Sequence, residues 1–171
     1  MIVTKKNACV GVALLFGCVL QQALCAQSLS LNISQLDTSS AVVNATSRTF
    51  EGLVMDYLFD SGLIVSNFPI EAEHTASKTD FSSVLSDAAD GSLDYVVTVV
   101  LFFEVPPTTA YTVGKGKSQI KSAEWKLYQV RDWNMVSSGT LVKEGGFISA
   151  DEKVLADYAF RLGKSIVDGI R

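Results

Sequence analysis

The sequence predicts an α/β two-layer sandwich, in which about three helices pack against a mixed or mainly antiparallel sheet of about five strands. Three observations lead there. Helical and alternating apolar periods take turns along residues 28–170. A long apolar run at 95–103 reads as a strand, and the C-terminal segment carries one continuous helical stripe.

Residues 28–33 alternate, with Leu29, Leu31 and Ile33 on one side, and form the first strand. The chain turns polar around 37–40. From Asn44 or Thr46 a helix begins, because Phe50, Leu53, Val54, Tyr57 and Leu58 recur at helical spacing. Gly62 closes it, since glycine takes the left-handed cap conformation without a side-chain clash. A short strand at 63–68 stops at Pro69, and the polar segment 71–78 is a loop. Thr79 caps a second helix with Phe81, Val84, Leu85 and Ala88 on its inner face, ending near Gly91. The run 95–103 is apolar on both alternate faces. It fits a central strand covered on both sides, or one whose second face meets a partner. Pro106 and Pro107 end it, and 108–122 is a long, polar, Gly-containing connection. An amphipathic strand with Trp125 follows at 123–130, then a turn around Trp133 and another strand near 140–143. Ser149 and Glu152 have the spacing of a capping box and open a last helix faced by Leu155, Tyr158, Leu162 and Ile166.

The first 26 residues differ from the rest. Lys5 and Lys6 precede an uncharged run of 13 residues, 8–20, and a small-and-polar stretch ends at Ala26. That is the order of regions in a secretory signal peptide, and the run falls short of the roughly 20 residues a membrane span needs. The expected organisation is a signal peptide at 1–26 and a single α/β domain at 27–171. A retained anchor and a buried first helix are the competing readings. Cleavage falls after Cys25 or Ala26. Leu15-Phe16-Gly17-Cys18 has the form of a bacterial lipobox, which makes Cys18 a candidate lipidation site. Membrane association is expected only if Cys18 is acylated or the signal is retained.

Composition narrows the function classes. The chain has 171 residues, 48% hydrophobic and 19% charged, as a globular domain has, and unlike a disordered or multi-span membrane chain. Cys9, Cys18 and Cys25 all precede Gln27, so a product starting there has no disulfide, thiol nucleophile or cysteine ligand. Without Lys5 and Lys6, 12 basic side chains face 18 acidic ones, a net charge of −6. An acidic domain without a basic run is not expected to bind nucleic acid. Lys115, Lys117 and Lys121 read as a solvated loop.

Reactive groups are sparse. His74, the one histidine, sits beside Glu71 and Glu73 in the polar segment and reads as solvated, not as a metal ligand. Asp56 with Asp60, and Asp87 with Asp90, lie on polar helix faces. Gly114-Lys115-Gly116-Lys117-Ser118 lacks the spacing of a phosphate-binding loop. No catalytic residue, metal site or cofactor is predicted, and enzymatic activity is not expected. Trp125 belongs to the core. Trp133 in its turn and Tyr111 in the long connection are candidate partner contacts.

Three stretches carry a family resemblance: Ser61-Gly62-Leu63-Ile64-Val65 after the first long helix, Leu93-Asp94-Tyr95-Val96-Val97, and the hairpin from Trp125 to Asp132 with Gly139 as its turn glycine. Together they resemble a group of bacterial envelope domains. The group is broad and includes the periplasmic domain of the curli secretion channel, the lipoprotein activators of penicillin-binding proteins, and the N-terminal domain of the Tol–Pal periplasmic propeller protein. The resemblance implies the same α/β fold and a non-catalytic role in contact with other envelope proteins, in the periplasm, secreted, or on a membrane as a lipoprotein. The alternative is a protein binding a small apolar or lipid ligand, with Phe102, Phe103 and Trp125 under the long connection as its pocket.

Overall fold

Alternation in the first strand decides the layers. In β1 (Ser28–Asp37), Leu29, Leu31 and Ile33 point to one side and Ser30, Asn32 and Ser34 to the other, and all six are buried. The computed structural model describes residues 26–73, 81–106 and 118–171. After β1 come α1 (Ala45–Asp60), β2 (Ile64–Asn67), β3 (Glu71–Glu73), α2 (Ser82–Asp90), β4 (Tyr95–Glu104), β5 (Gln119–Gln129), β6 (Asn134–Val142) and α3 (Glu152–Ile170). The strands form one sheet in the order β2-β1-β4-β5-β6, with β3 also paired to β1. β1 is parallel to β2, β3 and β4, whereas β4, β5 and β6 run antiparallel. This is the α/β class with a mixed sheet and three helices that the sequence predicts.

α1 and α3 lie together on the face that receives Leu29, Leu31 and Ile33. Phe50, Val54 and Leu58 of α1 and Leu155, Tyr158, Leu162 and Ile166 of α3 join Val97, Val99, Leu101, Trp125 and Leu127 in one core. The two helices cross closely. A Cβ on Gly163 would overlap the Tyr57 ring, and the same ring stands edge-on to Phe160 with centroids 5.1 Å apart. α2 packs on the opposite face. Its Ala88, with Val84 and Leu85 half-buried beside it, meets Val96 and Val130, and Val96 points away from the core that holds Val97.

Local chemistry sets the ends of the elements. Asn44 caps α1, its Oδ1 accepting from the Thr46 amide at 3.0 Å. The buried Gln35 fixes the approach: its Oε1 accepts from Asn44 N and Ser47 Oγ, both at 2.7 Å, and its amide donates to Val42 O at 3.1 Å. Gly62, at φ +88°, ends the helix as predicted.

Several expectations are corrected. Glu71–Glu73, within the segment expected to be a loop, forms a short edge strand against Ser34–Leu36, because beyond Pro69 the chain rejoins β1 through backbone alone. β5 starts at Gln119, inside the expected connection, since Ile120 is drawn into the core and bridges Ile148. β6 starts at Asn134 and not near 140, so Gly139 is no turn glycine. It lies opposite Trp125, where a Cβ would sit 2.9 Å from the indole nitrogen. Asp151, not Ser149, caps α3: Asp151 Oδ1 accepts from Lys153 N at 3.1 Å and Val154 N at 3.3 Å, while Ser149 Oγ accepts from Asp151 N. The Thr79 cap falls outside the described residues, and Phe81 occupies the position before α2 without a side-chain cap.

Val97→Ala should lower stability by about 1–3 kcal/mol in urea denaturation, through the cavity left in a fully buried strand. An unchanged midpoint would take β4 out of the centre of the sheet. Gly163→Ala should cost a similar amount, about 1–3 kcal/mol, by forcing α3 off the Tyr57 ring. A circular dichroism melt indistinguishable from that of the unsubstituted protein would mean that the helices are not in contact there.

Candidate functional site

The turn between β5 and β6 gathers the features that the core does not account for. Residues 130–133 form it, and Trp133 adopts φ +54°, a left-handed conformation that bulky residues seldom hold. The residue is 46% exposed. Met135 and Val136, immediately after, are also exposed, and a bulge between Leu127 and Tyr128 displaces Val136 from the ladder.

Two concavities meet at this tryptophan. One, of about 530 Å³, runs between the turn and the end of α2 past Ala89, Ser92, Leu93, Tyr95 and Arg131. The other, of about 360 Å³, lies along α2 beside Leu85, Ser86 and Asp90. Ser92, at the lip, holds a second positive φ of +55° just beyond the α2 cap at Gly91. Arg131 is exposed and makes no ion pair among the described residues, so a guanidinium and an indole stand free on one rim.

Asp94 makes the floor of this end rigid. Its Oδ2 accepts from Ser28 N at 2.8 Å and Ser28 Oγ at 2.9 Å, and Ser28 Oγ in turn accepts from the Asp94 amide at 3.0 Å. The Asp94 carbonyl accepts from Val130 N at 2.9 Å. One residue thus joins the start of β1, the start of β4 and the end of β5. Its place in the Leu93-Asp94-Tyr95 motif is visible in the sequence, but its partner, 66 residues away, is not.

Other residues singled out from the sequence are dispersed. Trp125 and Phe103 are closed into the core, as expected for Trp125, and Phe102 beside them is half-buried. Asp56, Asp60, Asp87 and Asp90 are exposed on their helices. Lys121 reaches Glu104 at 3.8 Å and lies over the Phe147 ring. Cys18, Tyr111, His74, Lys115 and Lys117, with the signal region, lie outside the described residues. Among the described residues no three His, Cys, Asp or Glu side chains cluster as metal ligands. None of their helices is long and apolar enough to cross a membrane.

Fold and site together define an α/β domain with a mixed sheet, three helices and an aromatic rim at one end, built without a recognisable reaction centre among the described residues. The chain belongs to the family described as "Uncharacterised protein", whose profile matches residues 28–156. No curated protein matches the sequence. Solved structures similar to it include TolB from Acinetobacter baumannii, at 14% identity and a TM-score of 0.48, over 85% of this chain and 28% of that one. The PelC dodecamer from Paraburkholderia phytofirmans matches at 15% identity and a TM-score of 0.45, over 84% of this chain and 86% of that one. Lipoprotein GNA1162 from Neisseria meningitidis matches at 13% identity and a TM-score of 0.43, over 84% of this chain and 99% of that one. These are likenesses of fold.

At position 133 the left-handed backbone disfavours any residue with a Cβ by about 1–2 kcal/mol. Trp133→Gly should therefore melt at or above the temperature of Trp133→Ala, although glycine is elsewhere the weaker residue. The reverse order would mean that the turn does not hold this conformation in solution.

Proposed function

We propose that this protein is a non-catalytic accessory module of the bacterial envelope that works by binding another envelope protein through the Trp133 rim. It is exported by its N-terminal signal region to the periplasm or beyond, with 27–171 as its folded domain. Acylation at Cys18 would tie it to a membrane. The observation that carries the reading is Trp133: a large aromatic side chain held out to solvent on a strained turn, with Arg131 beside it and open grooves on either side. Tryptophan and arginine are among the residues that most often dominate binding energy at protein interfaces, and backbone strain of this kind clusters at functional sites. Tyr111 stands as a second contact on the same reading. Binding of a small apolar or lipid ligand, the alternative, calls for an enclosed apolar cavity. The concavities beside Trp133 are instead bordered by exposed Ser86, Asp90, Ser92 and Arg131.

The test is crosslinking in intact cells with a C-terminally tagged full-length chain, followed by mass spectrometry of the captured proteins and of the mature N-terminus. A reproducible envelope partner that is lost with Trp133→Ala, while the variant remains folded, is the expected result. Capture unchanged by the substitution would remove the rim from the interface. Copurification of a lipid without a protein partner would favour the ligand reading.

A further inference from the structure

The two edges of the sheet are built on opposite principles. On one side β2 and β3 are pieces of four and three residues, separated by Phe68-Pro69-Ile70, and β3 carries Glu71 and Glu73. Proline, charge and short length are the means by which an edge strand avoids pairing with another chain. The other edge, β6, has none of them. Over nine residues, Asn-Met-Val-Ser-Ser-Gly-Thr-Leu-Val, it contains no proline and no charged side chain. Among the described residues no strand pairs its outer side. The strand is also firmly backed: at Gly169 α3 comes so close that a Cβ would lie 3.0 Å from Ser137. Beyond the bulge at Val136, residues 137–142 keep regular register.

We propose that β6 is a self-association edge, along which two copies of this chain pair antiparallel and join their sheets into one. The composition of the strand suits a copy of itself. Apolar residues occupy its two ends, Met135 and Val136 at one and Leu141 and Val142 at the other, while Ser137, Ser138, Gly139 and Thr140 fill the middle. A two-fold axis through 138–140 sets the Met135–Val136 end of each strand beside the Leu141–Val142 end of the other. Exposed Met135, Val136 and Val142 are then covered in pairs, and the smallest residues meet at the axis. No like charges are opposed, because the strand has none.

Ser138 and Thr140 point to the same, outward face of β6. The test uses the full chain with Cys9, Cys18 and Cys25 changed to Ser, carrying Ser138→Cys or Thr140→Cys as its only thiol. Directly opposed residues of an antiparallel pair have Cα atoms about 4.5–5.5 Å apart, within the span of a disulfide. One of the two variants alone, or their equimolar mixture if the axis lies at 139 and sets 138 opposite 140, should therefore oxidise to a covalent dimer, while Asp56→Cys on exposed α1 stays monomeric. In sedimentation the unsubstituted chain should run as a dimer, and Ser138→Lys as a monomer with unchanged circular dichroism. A monomeric unsubstituted chain with no crosslink in either variant or in their mixture overturns the proposal. So does a dimer that survives Ser138→Lys, which would locate association elsewhere. Crosslinking in cells to a different protein, without a homodimer, would assign the edge to a partner's strand instead. Trp133→Ala leaves β6 in place, so failure of this proposal and failure of the rim reading are separable.

Discussion

All the parallel pairing of this sheet passes through β1. It takes β2 and β3 along one side and β4 along the whole of the other, from Leu29 opposite Tyr95 to Asp37 opposite Phe103. A strand so enclosed must satisfy two demands at once. Its backbone must be straight enough to hold three partners, and each of its faces must suit a different layer. The Leu and Ile side chains meet α1 and α3, where burial contributes roughly 1.5–3 kcal/mol for each large apolar side chain. The serines and Asn32 on the other face are small and polar, and they let Val96 and its neighbours in β4 carry the contact with α2. Gln35, lower on the same strand, ties the loop before α1 by side-chain hydrogen bonds instead of by apolar contact. Loss of β1 would remove the helices' floor and leave both halves of the sheet without a common edge.

The rim follows from that arrangement. The end of the sheet where β1 begins is also where α2 ends, where β4 begins and where β5 turns into β6, and Asp94 pins these together. A turn fixed on such a base can hold Trp133 in a conformation that a looser loop would relax. Aromatic exposure and backbone strain coincide there because the surrounding structure leaves the turn little choice. At the opposite edge of the sheet, where Pro69 interrupts the pairing, no comparable base exists.

Much of this is legible in the sequence, and the parts that are not share a reason. Alternation in 28–33, the helical spacing of Phe50 to Leu58 and the stripe from Leu155 to Ile166 each identify an element and the face it buries. Periodicity states that a face is buried, not which layer buries it, so the position of α2 on the second face is invisible in Val84, Leu85 and Ala88. β3 is equally hidden: Glu-Ala-Glu has no strand pattern, and its pairing exists because the chain past Pro69 happens to run beside Ser34. Gly139 reads as a turn residue, whereas the structure uses it to make room for an indole on the neighbouring strand. The choice of Asp151 over Ser149 as a cap is a shift of two residues between equally good side chains, decided by where α3 meets the core. At Trp133 the sequence points the wrong way for the backbone, since nothing about tryptophan announces a positive φ. Its candidacy as a contact comes only from its polar neighbours.

The enclosure of β1 also fixes the order in which the molecule can assemble. A chain that emerges amino end first delivers β1 before every other element, yet the strand that flanks it along its full length lies 66 residues behind. Helix α1 and the short β2 arrive sooner and can cover one face and half of one side. The side reserved for β4 stays open until residues beyond 100 have appeared, and closing a loop of that length is slow compared with forming local contacts. The sheet is thus held together by the strand pairing that lies farthest apart in the sequence, between β1 and β4.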